Sequence, residues 1–525
     1  MDFEGDKAAL AGVCTYLDAQ SLVNMQLVSK SFKEVATNES LWKHVYMRDF
    51  PYYGERLNRQ HKGKKDDPVK WSVLYRDRSH RERCWRTGEL TRKDPVVLRG
   101  HAGTIFGATF LEAPFQSGTI VTGAYLDTSY EGEIKMWLPS RGTTAANAAS
   151  HVDASTEALD VDAEKEITKS GVLSLYQLHG TPQISCTTFE SGVHILRAEE
   201  QTIDDDDLLA LEDDDWRHDA LDKRKRMSRA GGGRSSNSNN FHQPGPSHGE
   251  HSCLIGDDGD TMRDTSYSFR SVLEILGQQA PCTKTYVDKN SKILAIPSYD
   301  GAVRLYRLPE FISNPSEGDA ILRRGNTADT SSESRCPTLE PSAVWMDDEE
   351  IEIREHGIVR MEKHMPVSAL TMSDDCLTMV TGGNDTRVKI WDMTRETIIS
   401  RLSGHEGWIW NVKPLDPFVQ KIMSTATDGF CKQWDTRMEK CIGTINVSAN
   451  GPGKVFPVTG VALRGNGWHM AVGSLDKNVY AIDCRMMKKM YIIGSHEDRV
   501  CRAMMHEDTL MTTGWDHTVR LWEFS

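Results

Sequence analysis

Two sets of residues in the last third of the chain have the types needed for acyl-transfer chemistry: His405, Ser424 and Asp428, then His496, Thr512 and Asp516. A hydroxyl, an imidazole and a carboxylate within hydrogen-bonding reach make a nucleophile, its general base and an orienting acid. Repetition argues against that use. Both sets are followed by an indole at the same spacing from the aspartate, Trp434 and Trp522. A motif that recurs along a chain serves the fold before it serves a reaction. The favoured reading is a buried network in which the histidine bonds the aspartate and, through the hydroxyl, the indole.

The elements that must position these residues are short strands. "TGGNDTRVKIWDM" (381–393) is echoed by "TATDGFCKQWDTR" (425–437), "VGSLDKNVYAIDC" (472–484) and "TTGWDHTVRLWEF" (512–524). The aromatics Trp391, Trp434, Tyr480 and Trp522 are separated by 43, 46 and 42 residues. Upstream, "IPSYDGAVRLYRL" (296–308) and "GEIKMWLPS" (132–140) have the same shape. Gly404-His405, Gly100-His101 and Ser495-His496 precede three of the copies. Alternating apolar runs around Asp428-Gly429 predict a hairpin. Four strands per repeat of this length, with Gly-His and Trp-Asp marks, describe the blade of a propeller.

On these residues the chain resembles the WD-repeat family, most strongly over Met365–Ser525, and also around 98–137 and 282–308. "GVLSLYQLHGTPQISCTTF" (171–189) reads as a degenerate copy, which brings the expectation to seven blades. The 85 residues between Tyr306 and Trp391 leave room for a further, cryptic blade. The segment "PVVLRGH" (95–101) is expected to close the ring, with Val96–Leu98 pairing as the outer strand beside Val519–Trp522. Residues 139–170, 200–265 and 313–350 are charged or rich in Gly, Ser and Ala, and are expected to loop out. Lys223-Arg224-Lys225-Arg226 reads as a solvated charge run in preference to a nuclear-import signal. His242, His248, His251 and Cys253 match no structural zinc spacing, so no metal site is assigned.

The front of the chain is different. In "YLDAQSLVNMQLVSKSFKEVATNESLW" (16–42), Asp18 can cap a helix from Ala19, placing Leu22, Val23 and Leu27 on one face. Ser31 with Glu34 forms a capping box for a second helix, and Asn38 caps a third that carries Leu41, Trp42 and Val45. Three such helices leave apolar surface that is covered either by the propeller, on which they would form a helical cap, or by a partner. In order and spacing these residues resemble the F-box, over residues 6–50, without the Leu-Pro that usually opens it. That resemblance implies docking on the Skp-type adaptor of a cullin-RING ubiquitin ligase, through Leu17, Leu22, Leu27, Val28, Leu41 and Trp42. Some of these six must instead hold the helices together. Residues 51–94 form a linker in which 66–87 read as a helix, Pro68 in its first turn, with Val69, Val73, Leu74, Cys84 and Trp85 between Arg-rich stretches. Those arginines fit a rigid spacer, or simple surface charge.

The expected architecture is therefore mainly β: a seven-bladed WD-repeat propeller over 95–525, preceded by a small all-α F-box and a helical linker. An F-box followed by WD repeats looks like the substrate receptor of an SCF-type ligase, non-catalytic and without cofactor. A WD-repeat scaffold in signalling or chromatin complexes is the alternative. In the WD-repeat family the rim around the central channel is the usual ligand face. Aligning the Gly-His frames puts Thr104, Trp408 and Arg499 at that rim, Phe106, Trp410 and Cys501 two positions on, and Trp515 beside the turn. These residue types suit an aromatic pocket for an apolar or cationic side chain of a protein substrate, with Arg499 holding one carboxylate or phosphate.

Composition bounds the rest. The 525 residues carry a net charge of −14, which argues against a nucleic-acid surface. No apolar run approaches a membrane span, and "MDFEGDKAAL" lacks the features of a signal peptide. The 11 cysteines are scattered with no C-x-x-C pair, as in a reduced cytoplasmic or nuclear protein. There is no H-E-x-x-H, no G-x-S-x-G and no phosphate-binding loop; "NGPGK" (450–454) has the wrong spacing.

Overall fold

The structure is a computed structural model. It describes residues 12–28, 30–51, 53–54, 57, 70–90, 94–112, 115, 118–126, 131–138, 157–160, 169–202, 265–313, 338–347, 351–355, 358–362, 364–447, 457–464 and 467–524. The basic cluster at 223–226, the His/Cys group at 242–253, Pro68, Val69 and the segment 450–454 lie outside those residues.

Among the described residues, seven sheets of four or five strands follow one another, each built on antiparallel hairpins of the kind the repeat predicts. Blade 5 is typical: Ile409–Pro414, Lys421–Ala426, Phe430–Asp435 and Lys440–Asn446. Its turn at Asp428-Gly429 is held by the aspartate, which accepts from the Phe430 N–H at 3.0 Å, while Gly429 takes the left-handed conformation, φ 77°. Blade 2 begins at the degenerate copy, with Val172–Gln177 and Gln183–Thr188. Blade 7 takes its outer strand from the other end of the propeller: Val96 pairs with Leu521, Val97 with Arg520 and Leu98 with Val519. Ring closure thus joins the first and last segments and removes an open sheet edge.

The long gap after Tyr306 contains no further blade among its described residues. Ala343–Trp345 supplies the outer strand of blade 3 and Thr338–Leu339 adds a parallel edge to blade 2. Residues 351–355 and 358–362 form a separate two-stranded hairpin. Glu157–Asp160 likewise completes blade 1. The strands at 157–160, 338–339 and 343–345 fall inside spans expected to loop out. An outer strand needs only two to four residues against an existing edge, too few to show an alternating pattern in a polar sequence. A second unit, Glu199–Ser268, is described only at its two ends, 199–202 and 265–268.

Helices Ala19–Met25, Lys30–Ala36 and Glu39–Asp49 form the front module. Asp18 caps the first, accepting from the Ser21 N–H at 2.6 Å, and Asn38 caps the third, accepting from Ser40 at 2.9 Å. The second helix begins at Lys30, so Ser31 lies inside it and not at its cap. A 17-residue helix, Trp71–Thr87, follows and ends at Gly88, φ 78°.

Candidate functional site

The linker helix makes two joints. Its first half packs on the front module: Trp71 meets Tyr46 edge-on at 5.5 Å and Tyr75 lies 5.3 Å from Trp42. Tyr75 donates to Asp49 at 2.8 Å, and the Ser72 hydroxyl to Glu39 at 2.7 Å. Its second half packs on blades 6 and 7. Trp85, fully buried, stacks obliquely on Phe524 at 4.2 Å, and its carbonyl accepts from the Tyr491 hydroxyl. Around it runs a charged network. Arg78 donates to both oxygens of Asp508, at 2.6 and 3.0 Å, Arg81 to Asp508 at 3.0 Å, and Arg464 to Asp508 at 2.7 Å and Glu82 at 2.9 Å. Burial pushes the Asp508 carboxyl up, but Arg78 and Arg464 outweigh it and hold its pKa below the ordinary value. Of the linker arginines, Arg78 and Arg81 are therefore structural, while Arg76, Arg83 and Arg86 are exposed surface charge. Arg78 is buried and also lies over the Tyr53 ring at 3.6 Å.

In the front module the six residues expected to meet a partner divide. Leu22, Leu41 and Trp42 are buried in its own core, where the Trp42 indole donates to the Ala36 carbonyl at 2.8 Å. Leu17 is half-buried against that core. Leu27 and Val28 are exposed, at 86% and 69%. Tyr16, Val13 and Val23 are exposed with them, so Leu22 and Val23 face opposite ways. The first helix ends at Met25, which turns Leu27 off the stripe that Leu22 occupies. A short helix has too few turns for spacing to tell its inner from its outer stripe.

The networks behind the Gly-His marks have the geometry of fold-holding links. His405 Nδ1 lies 2.7 Å from Asp428 and Nε2 2.7 Å from the Ser424 hydroxyl, to which the Trp434 indole donates at 2.7 Å. His496 sits 3.0 Å from Asp516 and 2.8 Å from Thr512, which accepts from Trp522 at 2.9 Å. Both imidazoles are buried, and each serine or threonine is spent on an indole, so no hydroxyl is presented to a substrate. Gly404 has φ +152°, and a Cβ there would meet the Trp434 ring at 3.2 Å. Blade 1 builds a third network that the repeat spacing misses: His101 bonds Glu133 at 2.7 Å and Thr122 at 2.6 Å, and Trp137 donates to Thr122 at 2.8 Å. The acid is a glutamate on the third strand in place of the turn aspartate. Burial pushes Glu133 up, but its bonds to His101 and Lys135 prevail and bring it down to about 2.

At the rim, the carbonyl that opens each inner strand accepts the N–H of the residue before the blade's second turn. Thr427 donates to Trp408 at 2.9 Å, Trp515 to Arg499 at 2.8 Å, Tyr299 to Pro281 at 3.1 Å and Phe189 to Gly171 at 3.0 Å. This equivalence adds Tyr299 and Phe189 to the rim, and Tyr125 through its pairing with Thr104. Tyr299-Asp300 has the same shape as Trp515-Asp516, so Tyr299 was open to alignment; Phe189 and Tyr125 had no such mark. Phe106, Phe189, Tyr125 and Trp515 form a chain of ring contacts, 5.8 Å from Phe106 to Phe189, 4.8 Å from Phe189 to Tyr125 and 6.5 Å from Phe106 to Trp515. The Arg499 guanidinium lies 4.9 Å over Trp515. Trp408 and Trp410 stand on blade 5, both exposed. Thr104 is a correction: it is buried, because a short side chain at this position does not reach past its neighbours as the Trp408 or Arg499 side chain does. Cys501 is half-buried, and burial pushes its thiol well up, so it is not a poised nucleophile.

Among the described residues no group of His, Cys, Asp and Glu is arranged to hold a metal ion, and no helix is long and apolar enough to cross a membrane. Comparison with known proteins matches the F-box-like family at residues 9–48, and the WD domain, G-beta repeat at 358–392, 396–435 and 487–523. Similar proteins include Protein SPA1-RELATED 4 of Arabidopsis thaliana, 26% identical over 173 residues, covering 32% of this chain and 21% of that protein. The Periodic tryptophan protein 2 homolog of Dictyostelium discoideum is 26% identical over 243 residues, 44% of this chain and 25% of its own. Nuclear distribution protein PAC1 of Arthroderma otae is 24% identical over 182 residues, 31% and 39% of the two chains. The match spans about a fifth of the length of the two SPA1-related proteins.

Proposed function

We propose that this chain, an F-box/WD-repeat protein, is the substrate-recognition subunit of an SCF-type ubiquitin ligase: its front module binds a Skp-type adaptor and its propeller binds the protein to be ubiquitinated. The observation that carries the reading is the linker helix, which is locked on both sides. A receptor of this kind performs no bond chemistry. It holds a substrate lysine at high effective concentration near a ubiquitin-carrying enzyme, and that works only if distance and angle are fixed. A helix of about 25 Å, with aromatic packing at one end and a buried ionic network at the other, supplies that rigidity. The exposed residues Tyr16, Leu27 and Val28 offer the adaptor an apolar face. The aromatic rim, with Arg499, Trp515 and Trp408, offers the substrate a surface of the residue types enriched among binding hot spots.

The test is a triple substitution, Tyr16→Ser, Leu27→Asp and Val28→Asp, in the full chain. Because these side chains lie outside the module's core, folding is retained. Capture of a recombinant Skp-type adaptor falls by about 30-fold or more, the equivalent of one hot-spot anchor. Undiminished capture, or no capture by the unaltered protein, would overturn the ligase reading and leave the scaffold. Leu41→Ala with Trp42→Ala is unsuitable here, since both residues are core and the pair would unfold the module.

A further inference from the structure

The propeller's central channel widens into a cavity of about 670 Å3. Its wall includes the hairpin residues Asp416 and Pro417, and Pro51 from the segment after the third helix. The mouth therefore lies on the side of the first hairpins, opposite the aromatic rim, since an inner strand runs from rim to hairpin. Five lysines and arginines line the cavity; Lys289 and Arg464 are paired with carboxylates, and Lys284, Lys413 and Arg502 are not. The three unpaired cations come from blades 3, 5 and 7.

None of the three is neutralised. Lys284 donates to the Trp410 carbonyl at 2.9 Å and to the Asn411 side chain. Arg502 donates to the Phe106 carbonyl at 3.2 Å and to the Ser174 hydroxyl at 3.2 Å. The Lys413 side chain makes no hydrogen bond or ion pair among the described residues, and it is exposed and lines the channel. The carboxylates in the same wall are engaged elsewhere. Asp374 pairs with Lys289, and Asp416 caps its own turn, accepting from Phe418 and Gln420 at 3.0 Å each. Arg464, also in the wall, is held by Glu82 and Asp508. Crowding by protein, and then mutual repulsion, drives the ammonium groups toward their neutral forms: Lys413 falls to about 8, and Lys284 falls well below its ordinary value, each with Arg502 as a contributing cation.

Like charges gathered in a narrow, partly apolar space raise the free energy of the empty protein. An anion seated among them reverses that term and gains charge-assisted hydrogen bonds. The volume is that of a small-molecule site. Tyr176, Tyr286, Met372 and Met504 provide apolar wall toward the mouth. We infer that the channel binds a small organic polyanion, carrying at least two phosphate or carboxylate charges, with its anionic groups on Lys284, Lys413 and Arg502 and its body toward the hairpin-side mouth. This site is separate from the rim and does not depend on the ligase reading.

The experiment is calorimetric titration of the full chain at constant ionic strength with pyrophosphate and, separately, with citrate. Saturable binding of pyrophosphate is expected. Lys413→Met weakens it by about tenfold or more, Lys413→Arg restores it, and Lys440→Met, on an exposed outer strand, leaves it unchanged. Lys413 is the informative position because it makes no structural bond; thermal melts of the variants verify folding. Binding of pyrophosphate alone assigns the site to phosphates, and binding of both assigns it to polyanions generally. Neither anion binding, or equal loss in the Lys413→Met and Lys440→Met variants, would overturn the proposal.

Discussion

Two cation clusters in this molecule are treated in opposite ways. At the linker joint, Arg78, Arg81 and Arg464 meet Glu82 and Asp508, with N···O distances from 2.6 to 3.2 Å. In the channel, Lys284 and Arg502 meet only carbonyls, an amide oxygen and a hydroxyl, and the Lys413 side chain makes no such bond among the described residues. A buried charge with its partners beside it locks one arrangement in place, and loses much if a partner is removed. A charge left without a partner stabilises nothing in the empty protein and marks a place for something else. The same residue types thus signal structure in one place and a site in the other, and the carboxylate decides which.

The contrast can be broken most forcefully at Asp508. Asp508→Ala leaves the buried Arg78 and Arg464 sharing Glu82 as their one remaining carboxylate, which should cost about 3–5 kcal/mol in urea unfolding and loosen the linker on the propeller. A loss below about 1 kcal/mol would show that the network is dispensable and the joint rests on Trp85 alone.

The joint should also fail with acid. His469, buried 6.2 Å from the Trp85 ring, is pushed down by burial first and then by Arg464, from 6.5 to about 4. Because the folded value lies below the unfolded one, the unfolded chain binds the extra proton. Stability is therefore complete above pH 6.5 and declines as pH falls toward about 4. The full loss is roughly 3 kcal/mol. His469→Gln should flatten that part of the pH profile; an unchanged slope would assign the acid sensitivity to other groups.

A fold-holding network should behave like the joint, on a smaller scale. Ser424→Ala removes the shared partner of His405 and Trp434 and should cost about 1–3 kcal/mol. It should leave adaptor capture intact, since the linker joint is built on blades 6 and 7. Loss of adaptor capture without loss of stability would contradict the structural role.

The smallest effect carries the opposite sign. Lys413→Met removes one of three mutually repelling cations and should leave stability unchanged or raise it by up to about 1 kcal/mol. A loss comparable to that at Asp508 would mean that Lys413 has a structural partner after all, and the two clusters would no longer differ.

What the sequence determined by itself is what local pattern can carry. Strand alternation, Asp-Gly turns and the spacing of Gly-His from Trp specify blades, because each depends on residues a few tens of positions apart within one meander. Ring closure by Val96–Leu98 was legible too, since a strand pattern stands just before the first complete blade. Tertiary structure alone decided the rest. Arg78 and Asp508 lie 430 positions apart and meet because the ring brings its last blade back to the linker. Leu22 and Val23 are neighbours in sequence, yet one is core and the other is surface, because packing against the third helix selects the inner stripe. Lys284, Lys413 and Arg502 share no local motif. They converge because inner strands from three blades face one axis, and no spacing along the chain encodes a point at the centre of a circle.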